Sequence, residues 1–101
     1  MPLTGEQRES IYRLVHNEPK YEPFFESLAG LGRNTHDFSL SVVQSRSGLN
    51  EQLSRKLMHD IEAKTGLAKV QGGGNGVQHF LAWKEDVDVR EVGRSYREPL
   101  R

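Results

Sequence analysis

Apolar side chains in the first part of the chain recur at helical spacing. Ile11, Leu14 and Val15, with Tyr12 beside them, fall on one stripe, and Asn17-Glu18-Pro19 interrupts it. Thr4-Gly5-Glu6-Gln7 has the form of a capping box, in which the hydroxyl and the Gln7 side chain satisfy each other's orphan amides, so a helix is predicted over 5–17. Pro23 suits the first turn of a second, short helix with Phe24, Phe25 and Leu28 inward and Gly30 or Gly32 at its end. From Phe38 to Ser45 the pattern changes. Phe38, Leu40 and Val42 alternate with Ser39, Ser41 and Val43, a period of two that favours a strand, whereas Asp37 can cap a short helix. Both readings stand at this point. Gly48 and Asn50 introduce the clearest long helix, roughly 50–64, with Leu53, Leu57, Met58 and Ile61 on one face and Gly66 as its C-cap. Leu67–Gln71 and Val77–Trp83 flank the glycine-rich stretch 72–76 and are predicted to pair as a β-hairpin. Lys84–Arg101 carries five basic and five acidic residues with few apolar anchors. The expected division is therefore a domain over 1–84 and a charged tail over 85–101, in which Val87, Val89 and Val92 dock at most a short segment.

Composition narrows the function classes. At 101 residues there is room for one core, and a domain of this size buries only a little over ~60% of its unfolded surface. A binding face on the outside is thus favoured over an internal active-site cavity. Fourteen Lys and Arg against fourteen Asp and Glu remove any whole-chain case for a polybasic binder, so attraction to phosphate has to be local. The absence of cysteine excludes disulfides, thiolate nucleophiles and Cys-containing zinc sites. The longest apolar run, Phe80–Trp83, is far too short for a membrane span or a signal-peptide core, and the expectation is a soluble cytoplasmic protein with no membrane partner.

Three short words in the central region carry a resemblance. Ser47-Gly48-Leu49, Leu53-Ser54-Arg55 and the run from Ile61 to Leu67 resemble the turn, the recognition-helix start and the helix ending of winged helix-turn-helix domains. Leu3–Glu9 is similar to the first helix of SOS-repressor-type members. Thr65 adds one residue to the usual helix ending, and residues 19–36 stand where many members have a short loop. The resemblance implies an α+β fold, a small winged-helix domain of three or four helices plus a C-terminal β-hairpin wing. It also implies a double-stranded DNA-binding regulator of transcription, replication, plasmid or phage functions. In that arrangement the helix from Asn50 enters the major groove and the hairpin tip leans on the adjacent backbone or minor groove.

The residues suit that role in part. Asn50, Gln52, Ser54 and Arg55 occupy the first turns of the long helix, where amides pair with adenine and a guanidinium with guanine. Arg46, Lys56, Lys64 and Lys69 are candidate phosphate contacts, and Gly73, Gly74 and Asn75 allow close backbone approach at the tip. Residues 38–83 hold five Lys/Arg and three Asp/Glu, whereas the preceding 37 hold four and six. The polarity has the right sign but is small, so affinity is expected to need a homodimer or a second module. No cofactor or metal is implied: His16, His36, His59 and His79 show no ligand spacing, and no nucleophile has a base at a defined offset, so an enzyme is not expected. Phe80 and Trp83 are read as core more readily than as an exposed stacking pair. Two alternatives stay open. If Phe38–Gln44 is a strand, the result is a βαββ RNA-binding module in which Ser45-Arg46-Ser47-Gly48 holds a phosphate. The third reading is a winged helix serving as a protein-interaction adaptor.

Overall fold

The Thr4 hydroxyl accepts from the Gln7 amide at 3.1 Å while the Gln7 side chain accepts from the Thr4 amide at 2.8 Å, closing the expected capping box at the start of α1 (Gly5–Asn17). This geometry comes from a computed structural model that describes residues 2–72 and 79–97. Ile11, Leu14 and Val15 form the buried stripe of α1. Pro19–Tyr21 make one 3-10 turn, and α2 (Glu22–Ala29) follows directly with Phe24, Phe25 and Leu28 buried.

The ambiguous stretch resolves into both elements in succession. Asp37–Ser39 form a short strand, β1, and Leu40–Ser47 form a helix, α3. Ser39 is the hinge between them. Its backbone is extended (ψ 163°), and its hydroxyl accepts from the Val42 amide at 3.3 Å, which is N-cap geometry. The alternating pattern is thereby broken: Val43, which a strand would turn outward, is buried, and Val42, which it would turn inward, is exposed. Helix α4 (Glu51–Thr65) follows a three-residue turn, capped by Asn50 at one end and by left-handed Gly66 at the other.

Strands β2 (Ala68–Gln71) and β3 (Phe80–Trp83) pair antiparallel, with Val70 opposite Leu81 and Lys69 opposite Ala82. Strand β1 pairs with the other edge of β3, so the sheet order is β1-β3-β2. The period-two geometry of strands then sorts the residues. Phe38, Leu81, Ala68 and Trp83 face the core, while Asp37, Ala82 and Lys69 lie across the outer face. Trp83 and Phe80 consequently part company: Trp83 packs edge-on to Phe38 at 6.2 Å, and Phe80 lies half-buried on the outside.

Within the segment expected to be a tail over 85–101, residues 87–96 instead contribute to the core, and residues 98–101 lie outside the described residues. Helix α5 (Val89–Ser95) packs on α2, and Val87, Val89, Val92 and Tyr96 are all buried. Two of its carboxylates are spent on hydrogen bonds, one within the helix start and one to the beginning of the chain. Asp88 caps the helix at the Arg90 amide (3.0 Å), and Glu91 accepts from the Leu3 amide at 2.8 Å and from Arg8 at 3.4 Å. Asn34 bridges the approach, donating to the Val87 carbonyl at 3.0 Å and accepting from the Val89 amide at 2.9 Å. The fold is therefore a small α+β arrangement, with helices on one face of a three-stranded antiparallel sheet. Among the described residues no helix is long and apolar enough to cross a membrane.

Candidate nucleic-acid interface

Helix α4 has a sharply divided circumference. Ser54, Leu57, Met58 and Ile61 are buried, and Gln52, Arg55, Lys56, His59 and Ala63 are exposed on the opposite side. The turn that presents this face is tight for identifiable reasons. Gly48 adopts φ 73°, which a residue with a side chain tolerates poorly, and its amide donates to the Gln44 carbonyl at 2.8 Å. Ser47 is buried and accepts from the Leu49 amide at 3.1 Å, and Asn50 then accepts from the Leu53 amide at 2.8 Å.

The four expected base-contacting residues divide on this frame. Gln52 and Arg55 project from the outward stripe. Asn50 is exposed, but its Oδ1 is committed to the cap, so the two-point amide pairing expected with adenine is compromised. Ser54 is fully buried, its hydroxyl 3.5 Å from that of Ser47 and donating to the Leu49 carbonyl at 3.4 Å. It belongs to the helix–helix contact and reaches no ligand, because position 54 lies on the same side of α4 as Leu57 and Ile61.

Among the expected phosphate contacts, Lys69 is exposed on the outer row of β2. Lys64 sits on another flank of α4, in a shallow groove with Glu6, Glu9 and Asn17 of α1, and is not gathered with Arg55. Arg46 lies in the last turn of α3, its guanidinium over the Phe38 ring at 5.8 Å and 3.5 Å from the Ser27 carbonyl it donates to. This removes the phosphate loop of the RNA alternative: residues 45–47 end a helix, where the dipole favours cations and repels anions. Gly73, Gly74 and Asn75 lie outside the described residues.

Lys56 is exposed yet engaged. Its ammonium donates to Asp60 at 3.0 Å and to the Tyr21 hydroxyl at 3.2 Å, and that hydroxyl donates to Asp60 at 2.7 Å. Burial, reinforced by the bond to Asp60, pushes the Tyr21 phenol up to about 12. Burial alone would raise Asp60, but the bonds from Tyr21 and Lys56 outweigh it and hold the carboxyl below its usual range. Lys56 is raised in turn, first by its bond to Asp60. Arg55 makes the analogous pair with Glu51 at 3.0 Å.

Sequence reasoning passed over three members of this surface. His59 stands on the outward stripe, and its ring meets that of His79 edge-on at 6.3 Å, which joins the stripe to the start of β3. Asp60 and Tyr21 complete the Lys56 cluster. The signal for His59 and Asp60 was present as helical stride from Gln52 and Lys56, whereas Tyr21 is 35 residues from Lys56 and only tertiary packing brings it there. No family model, curated protein or solved structure compared with the chain matches it.

Proposed function

We propose that the chain is a winged-helix domain that binds duplex DNA as a regulator, with α4 in the major groove and the β2–β3 hairpin as the wing. The observation that carries this reading is the outward stripe of α4. A helix anchored along one side and entered through a tight capped turn presents Gln52, Arg55, Lys56 and His59 together. Amide and guanidinium groups at that spacing match base edges, and Lys69 on the adjacent strand suits a backbone contact. The central order, a strand, two helices joined by a short turn, then a hairpin whose last strand also pairs with the first, supports the same assignment, with two helices ahead of it and one after it. The mechanism is site occupancy and calls for no cofactor. Selection from a random duplex pool should enrich a common sequence. Arg55→Ala should then lose about 1–3 kcal/mol of discrimination at one base position, and Lys69→Ala should weaken all duplexes about equally. Equal binding of selected and scrambled duplexes by the unaltered protein overturns sequence-specific recognition. No duplex binding even at low salt assigns the α4 face to a protein partner instead.

A further inference from the structure

We propose that Asp60, anchored by Tyr21, is an internal counter-ion that withholds Lys56 from DNA phosphates and so lowers the affinity of α4 for every duplex, whatever its sequence. The inference rests on the DNA reading above and deepens it by assigning a brake to the same face. Its basis is the unequal footing of the two ions. The Asp60 side chain is 20% exposed and fixed by the Tyr21 hydroxyl at 2.7 Å, while Lys56 is 54% exposed and reaches the carboxylate from outside at 3.0 Å. The carboxylate stays in place and the ammonium is the partner that can leave.

Helix stability accounts for the pair only weakly. A lysine one turn N-terminal to an aspartate is the less favourable order relative to the helix dipole, in contrast to Glu51 and Arg55, which follow the better one. The arrangement instead depends on a tyrosine from another element, whose ring is buried beneath α4 and lies 5.6 Å from the ammonium. A phosphate arriving at this part of α4 has to take Lys56 from a carboxylate that remains only a few ångströms away. That cost is the same for cognate and random DNA, because Lys56 addresses the backbone rather than a base.

Asp60→Asn is the direct test, since an amide oxygen still accepts from Tyr21 and the fold is kept; thermal melting checks this. Binding of selected and scrambled duplexes, followed against salt, should tighten about three- to ten-fold for both, with the slope of log K on log salt steeper by just under one. In a Lys56→Gln background the same change should lose most of its effect. A purely global response to removing one negative charge would persist there and overturns the proposal. So does unchanged affinity and slope in Asp60→Asn when the unaltered protein binds duplex, an outcome that leaves the DNA reading standing. Absence of binding by the unaltered protein and by Asp60→Asn at about 20 mM salt removes both.

Discussion

Tyr21 illustrates how one side chain can serve the core and the surface together. Its ring is fully buried while its hydroxyl reaches Asp60 and Lys56 at the edge of α4. Because the folded-state phenol titrates at about 12, above the ordinary tyrosine value of 10.0, the native protein holds its proton where the unfolded chain loses it. The stability this supplies is complete below pH 10 and declines as pH rises from 10 through 12. Tyr21→Phe is expected to cost about 1 kcal/mol near neutral pH and to remove the latest step from an absorbance titration of tyrosinate. A titration unchanged by the substitution would show that another tyrosine carries that step. Asp60 has the opposite sign: its depressed carboxyl contributes stability at neutral pH that is lost as acid protonates it.

At the level of elements, the contact between α5 and α2 turns on the absence of a single carbon. A Cβ built on Gly93 would fall 2.4 Å from the Ala29 amide nitrogen and 2.6 Å from the Phe25 carbonyl oxygen, both backbone atoms of α2. The two helices therefore cross at a distance that only glycine permits. Gly93→Ala has to push the helices apart, which is expected to cost about 1–3 kcal/mol or more in urea unfolding, although alanine favours helix intrinsically. Exposed Arg94, one residue on, serves as the control, and Arg94→Ala is expected to leave stability nearly unchanged. Equal stability of the two variants would mean that α5 does not sit on α2 at this distance.

For the molecule as a whole, the decisive addition is that the final helix closes the core. Val87, Val89, Val92 and Tyr96 are buried, and α5 is bonded to the chain start through Glu91 and to the loop before β1 through Asn34. Each such apolar side chain contributes about 1.5–3 kcal/mol by burial. Together they rival the entire stability of a small domain, about 5–15 kcal/mol. A chain ending at Asp86 is accordingly expected to lose its cooperative thermal transition. A sharp transition in that fragment would return residues beyond 85 to the status of a tail.

The boundaries of α1, those of α4 to within one residue, the caps at Thr4 and Gly66, and the pairing of β2 with β3 were legible in the sequence, because caps, helical stride and turn chemistry act within a few residues. So were Gln52 and Arg55 on the outward stripe. Tertiary structure decided what local pattern leaves degenerate. Ser39 ends a strand and starts a helix because Phe38 pairs with Leu81 on one side while Val43 reaches the core on the other. Ser54 is inside, Lys64 turns to another flank, and Lys56 is held by a tyrosine distant in sequence, since the surroundings of a polar side chain are set by the elements packed against it. The charged composition of the last stretch suggested a tail for the same reason. Its valines are few, and only their convergence with α1, α2 and the Asn34 loop makes their burial favourable.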